Sequence, residues 1–135
     1  MLITRETDYA LRILRCLQDG QLRSIPKICQ EEQIPKQFAY KILKKLSGSG
    51  LVEVTRGTAG GGCRLALDPA EITLYRVMCA TEEDRLVNAC LDCSFQCERR
   101  LAMEEGCTIH SCLCKVQERL DSLLKEYTLA DLLCK

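Results

Sequence analysis

Between Ser24 and Leu67 the sequence changes its period twice, and those changes leave the fold little freedom. Ser24 is a suitable N-cap, Pro26 falls in the first turn behind it, and Ile25, Ile28 and Cys29 recur at helical spacing. "EEQI" makes a tight link. Pro35 then opens a further helix with an apolar stripe of Phe38, Ala39, Ile42, Leu43 and Leu46, which "SGSG" at 47–50 stops. From there the period becomes two: Leu51 and Glu53 oppose Val52 and Val54, a glycine-rich tip turns the chain, and Cys63, Leu65 and Leu67 share one face of the return. An earlier helix is marked by Ala10, Leu11, Ile13, Leu14 and Leu17 between Asp8 and Asp19-Gly20. Two short helices joined by a tight turn and followed by a hairpin make a winged helix-turn-helix.

The outer face of the third helix carries Lys36, Gln37, Tyr40, Lys41 and Lys44, none of which its core stripe needs. Such a helix lies readily in a major groove, with Gln37, Tyr40 and Lys41 near base edges and Lys44 or Lys45 near phosphates. Arg56 at the hairpin root and Arg64 on the return strand flank a small-residue tip, Gly57 to Gly62, suited to close approach to a nucleic-acid backbone. The formal net charge is +0, but it is unevenly spread. Residues 1–66 hold eleven Lys/Arg against six Asp/Glu, and residues 67–135 hold eight against thirteen. The first half is therefore the part suited to a polyanion such as double-stranded DNA.

Beyond the hairpin, Asp68-Pro69 starts a new element, and Leu74, Val77 and Met78 predict a short helix packed on the winged unit. Ile109, Cys112, Leu113, Val116, Leu120, Leu123, Leu124 and Tyr127 predict a long amphipathic helix. Pairing with the same helix of a second copy is the economical way to cover that seam. The fold class expected is mostly α with a small β-hairpin wing: a winged helix-turn-helix over 1–80, a cysteine-rich loop over 81–107, and a dimerisation helix with a C-terminal segment over 108–135.

Six of the eleven cysteines and the only histidine fall in "CLDCSFQCERRLAMEEGCTIHSCLC", residues 90–114. The start "MLITRETDYALRILRCL" resembles neither a signal nor a transit peptide, and no segment reaches the roughly 20 apolar residues of a membrane helix. The expectation is a cytoplasmic protein without membrane association, where an odd, dense set of thiols points to metal or redox chemistry rather than disulfides. Cys90, Cys93, Cys97 and Cys107 lie among charged and small residues that build no core, and gathered thiolates favour a soft metal. Cys16, Cys29, Cys63 and Cys79 sit on apolar faces and read as buried small hydrophobes. Of Cys112 and Cys114, one at most faces the seam, leaving the other as a redox thiol.

Taken in order, "TDYALRIL" (7–14), "LKKLSGSGLVEVTRG" (43–57), "RGTAGGGCRLA" (56–66), "TLYRVM" (73–78), the cysteine segment and "YTLADLL" (127–133) resemble the winged-helix regulators of the IscR/NsrR type over nearly the whole chain. The resemblance implies a homodimeric transcription factor, most often a repressor, whose cysteines hold a 2Fe-2S or 4Fe-4S iron-sulfur cluster. It implies Cys107 as a ligand first, then Cys90 and Cys97, with Cys93 as a fourth ligand or a replacement. His110 in "CTIH" and Asp8 reaching over from the partner subunit are further candidates, each with an ordinary alternative as a polar residue in a first helical turn. This sequence departs from the family pattern in two places. Its wing is one residue longer, and Cys107 follows a gap of nine residues while the upstream cysteines are separated by two and three.

Two rival readings use the same residues. Cys90, Cys93, Cys107 and His110 form C-x₂-C and C-x₂-H pairs that suit a structural zinc, which would make this a zinc-stabilised or thiol-redox regulator without a cluster. A small cluster-carrying electron-transfer protein is the other, but "CLDCSFQC" is not the ferredoxin run and lacks its Cys-Pro. No catalytic triad, paired-carboxylate motif or phosphate-binding glycine loop is present, and one histidine offers little for acid-base catalysis, so an enzyme is not expected.

Overall fold

The structure is a computed structural model that describes residues 2–57, 61–82 and 84–134. Helices α1 (Arg5–Cys16), α2 (Ile25–Glu32) and α3 (Lys36–Gly48) come first. The apolar stripe of α1 places Tyr9, Ala10, Ile13 and Leu14 in the core, with Leu17 beyond its end, against Ile28 of α2 and Ala39, Ile42, Leu43 and Leu46 of α3. Full burial of each such aliphatic side chain contributes about 1.5 to 3 kcal/mol before entropy costs, which fixes the pair of helices on α1. The turn between α2 and α3 is closed by Gln33 in the left-handed region, φ 53°. Ser24 has the extended backbone of an N-cap but its side chain makes no capping bond. Phe38, expected in the core stripe, is 44% exposed and leans on the Tyr9 ring at 5.9 Å between centroids.

Strands β1 (Val52–Thr55) and β2 (Gly62–Leu65) form the antiparallel hairpin, in register Val52 with Leu65, Glu53 with Arg64, Val54 with Cys63 and Thr55 with Gly62. Its inner face carries Val52, Cys63 and Leu65, and Leu51 is buried at the junction with α3. Val54, assigned by alternation to the same face as Val52, is exposed at the hairpin's outer end. A third strand exists only as one residue. Arg23 donates its N–H to the Cys63 carbonyl at 3.0 Å, and Cys63 donates back to the Arg23 carbonyl at 2.9 Å, tying the wing to the entrance of α2. Gly62 permits that approach, because a Cβ there would stand 2.3 Å from the Arg23 oxygen.

A 3₁₀ turn at Pro69–Glu71, held by a capping box between Asp68 and Glu71, leads into α4 (Leu74–Thr81), which buries Val77, Met78 and Thr81 against α1 and α3. Among its described residues the cysteine segment carries a 3₁₀ turn at Ala89–Leu91 and the single-turn α5 (Glu98–Leu101). Helix α6 (Thr108–Glu126) follows, 19 residues or about 28 Å long. Its root in the fold is Leu124, together with the packing of α4. After it, α7 (Leu129–Leu133) returns to α1: Leu129 is buried, its N–H bonds the Ile72 carbonyl at 2.7 Å, and a Thr128–Asp131 capping box starts the turn.

Candidate nucleic-acid interface and cysteine loop

Helix α3 and the hairpin stand apart at their outer ends, and between them runs an open groove of about 800 Å³. Tyr40, Leu43 and Lys44 form one wall; Val54, Thr55, Arg56 and Gly57 form the other; Ser24 and Pro26 at the start of α2 close the end. Four of the residues expected to meet DNA, Tyr40, Lys44, Arg56 and Gly57, therefore share one concave surface. Lys36 and Gln37 are exposed on the first turn of α3, outside that groove. Among the described residues Lys36, Lys44 and Arg56 enter no ion pair, so their charges remain available to an anion. The tip residues Thr58 to Gly60 lie outside the described residues.

Three expected contacts are engaged within the fold. Arg64 reaches across the hairpin to Glu53 at 2.9 Å. Lys41 donates to Glu6 of α1 at 2.5 Å, and Lys45, one turn further, takes the other oxygen of the same carboxylate at 2.5 Å. Lys45 also donates to the Thr81 carbonyl at the end of α4, at 3.0 Å. The hydrogen bonds from Lys41 and then Lys45 hold the Glu6 carboxyl below its ordinary pKa. Beside this clamp, the Thr7 and Thr81 hydroxyls are buried in mutual contact at 2.8 Å, and Glu82 accepts from Thr7 at 2.6 Å and from Thr4. Nothing in the local spacing of Glu6 announces it as a partner of α3, since the pairs span 35 and 39 positions.

The cysteine loop leaves the end of α4 from an anchored root. Gln117 of α6 accepts from the Val87 N–H at 2.9 Å and donates to the Arg85 carbonyl at 3.4 Å, while Arg85 and Lys125 cover the Tyr75 ring at 5.0 and 4.5 Å. Beyond the root the segment is mostly exposed. Cys90 sits in the 3₁₀ turn, and Cys97 and Cys107 stand at the N-cap positions of α5 and α6 without a side-chain capping bond; all three are half-buried, and Cys93 is exposed. All eleven cysteines are free thiols. Among the described residues no three His, Cys, Asp or Glu side chains converge as a metal-holding group. His110 stands one turn into α6 with Cys114 Sγ 3.5 Å from its Nε2 and the Arg100 guanidinium beside the ring. Asp8 is half-buried on α1 and paired with Arg12 at 2.9 Å.

The thiols expected to be core residues divide. Cys63 is buried, and burial pushes its pKa up to about 11. Cys16 is half-buried, and desolvation followed by its hydrogen bond to Glu31 pushes it up to about 12. Cys29 is half-buried with its pKa raised by the same desolvation. Cys79 corrects the expectation: it is exposed, because α4 turns Val77, Met78 and Thr81 inward and leaves the position between them outside. Cys112 is exposed and Cys114 half-buried.

The seam of α6 stands largely open, with Ile109 69%, Val116 46% and Leu123 48% exposed at seven-residue intervals. Among the described residues no helix is long and apolar enough to cross a membrane.

The chain is similar to known proteins over nearly its whole length. The sequence matches the Rrf2 family, described as iron-dependent transcriptional regulators, over residues 3–135. It is 33% identical to the HTH-type transcriptional regulator NsrR of Bacillus subtilis, an alignment covering 98% of this chain and 90% of that one. The solved structure of CymR (YrzC), the global cysteine regulator of B. subtilis, superposes with a TM-score of 0.72 at 22% identity, over 97% of this chain and 95% of that one. That of T. potens IscR superposes with a TM-score of 0.68 at 21% identity, over 97% and 85%.

Proposed function

This chain belongs to the Rrf2 family of transcriptional regulators, and from that premise we propose that it is a homodimeric repressor whose operator binding is set by an iron-sulfur cluster held in the cysteine loop. The observation that carries the DNA part is the groove in which Tyr40, Lys44, Arg56 and Gly57 face one another. With α3 in the major groove, the unpaired cations Lys44 and Arg56 take phosphates on the two sides of one strand, and Gln37, Tyr40 and Lys41 are left to meet base edges. The phosphate contacts fix register, and the α3 side chains supply sequence preference.

The open seam of α6 supports the dimer. Ile109, Val116 and Leu123 form a stripe that this chain leaves uncovered, and a second copy of α6 buries it. A two-fold pair of winged units would then address two half-sites roughly 34 Å apart along the duplex.

The donor chemistry of the loop fits a soft-metal centre: Cys90, Cys93, Cys97 and Cys107 are free thiols outside the core, on a mostly exposed segment. When bound, an iron-sulfur cluster supplies a group that redox change, nitric oxide or iron shortage destroys or alters. In that role Cys107 holds the start of α6, Cys90 and Cys97 hold the loop from its two short turns, and Cys93 stands as the fourth thiol. His110 is the alternative fourth donor. Asp8 of the first helix is the further candidate, reaching the cluster across the dimer once freed from its pair with Arg12.

The test is the metal content of protein purified without oxygen. Iron and acid-labile sulfide in equal amounts, with visible absorbance lost on Cys107→Ala, are the expected result. Iron-free protein carrying zinc would establish the zinc-stabilised regulator instead.

A further inference from the structure

Among the described residues Glu6 is the one acidic side chain that reaches the reading helix from another element, and it takes two of that helix's lysines at once. Its carboxylate is largely covered, 24% exposed, whereas Lys41 remains 56% exposed on the outer face of α3. Lys45 is more enclosed, at 28%, and its second bond to the Thr81 carbonyl fixes the carboxylate from behind. The two lysines thus have different parts. Lys45 anchors Glu6 to α3 and to the end of α4. Lys41 is held on that anchor at the rim, beside Gln37 and Tyr40.

We propose that Glu6 is a positioning residue for DNA reading: it holds the Lys41 ammonium away from phosphate and aims it as a base-edge contact, raising sequence preference at the cost of general affinity. The physical reason lies in what an unrestrained lysine does beside DNA. Its flexible, compact charge goes to the nearest phosphate, where it displaces a counterion and adds affinity for every sequence alike. The Glu6 carboxylate oxygen on one of its three donors offsets that charge at a distance and restrains the four-carbon stem, leaving the other two donors for base acceptors such as guanine O6 and N7. The proposal rests on the DNA-binding reading above.

The experiment compares wild type, Glu6→Gln, Lys41→Gln and the double variant as purified dimers. The probes are the duplex that wild type selects from a random-sequence library and a scrambled duplex of the same composition, each titrated across salt. Glu6→Gln is expected to bind the scrambled duplex more tightly, to steepen the slope of log affinity against log salt by about 0.9, one phosphate contact, and to lose preference for the selected duplex. Adding Lys41→Gln should return the slope to the wild-type value. Lys41→Gln alone should lower preference with the slope unchanged; this arm also decides the matter if Glu6→Gln does not fold. An unchanged slope and preference in a folded Glu6→Gln, a steepening that survives Lys41→Gln, or a loss of slope in Lys41→Gln alone would each overturn the proposal. Wild type that fails to distinguish the two duplexes would instead remove the DNA-binding reading beneath it.

Discussion

Gly62→Ala should loosen the wing, and the structure sets the size of the effect. An added methyl at Gly62 would stand 2.3 Å from the Arg23 carbonyl oxygen and 2.8 Å from its carbon, closer than real Cβ contacts come. Both atoms are backbone, so no rotamer change relieves the overlap. Either Arg23 and Cys63 part, losing two hydrogen bonds of 3.0 and 2.9 Å at about 1 kcal/mol each, or the surrounding core shifts, at about 1 to 3 kcal/mol. Alanine returns about 0.4 to 1 kcal/mol by restricting the unfolded chain. The net expectation is a loss of about 1 to 2 kcal/mol, read as a lower urea midpoint with an unchanged slope at one fixed protein concentration. Operator affinity should fall as well, since Arg56 is carried by the same hairpin. Gly48→Ala at the end of α3, where a methyl meets nothing within 4 Å, is the matched control. A Gly62→Ala stability within about 0.5 kcal/mol of wild type, no more than an ordinary surface substitution, would refute the packing argument.

Replacing Lys44 or Arg56 with Gln should weaken binding to all duplexes alike and flatten the salt dependence by about 0.9 per lost contact; a change confined to one sequence would reassign the residue to base reading. The Glu6 ion pairs lower its folded pKa from the ordinary 4.5, so their stabilisation is present above that value and lost as pH falls through the lowered one. Urea stability of wild type should accordingly exceed that of Glu6→Gln at neutral pH and converge with it in acid, and a constant difference across that window would contradict the pairing. In reduced, metal-free protein near neutral pH, thiol alkylation followed by peptide mapping should label exposed Cys79 and Cys93 early, with Cys63, raised to about 11, and Cys16, raised to about 12, last. Early labelling of Cys63 would mean that the wing opens readily in solution.

The helices and hairpin were legible in the sequence because their signals are local: Pro26, Pro35 and "SGSG" punctuate runs of clear 3.6-residue period, and Ala39, Ile42, Leu43 and Leu46 are all buried. Phe38 misled because one position on that helix points to its flank, where Tyr9 offers a ring and solvent takes the rest. Val54 misled because the hairpin outruns the core, leaving the end of an alternating strand with nothing to cover it. The Glu6 clamp and the Arg23–Cys63 bridge were not legible at all. Both join residues at least 35 positions apart through the packing of whole elements, and a one-residue strand has no period to detect. In the cysteine loop the composition declares soft-metal chemistry, but the chain itself supplies only short turns and an anchored root to arrange the thiols.

Operator affinity of the anaerobically purified cluster-loaded protein, of the same protein stripped of metal, and of Cys107→Ala, at one salt concentration, tests the account most directly. Loaded and stripped forms should differ by roughly 5-fold to 150-fold, the usual range for coupled sites, with Cys107→Ala matching the stripped form and remaining a dimer through α6. Equal affinity in all three would contradict cluster control of DNA binding.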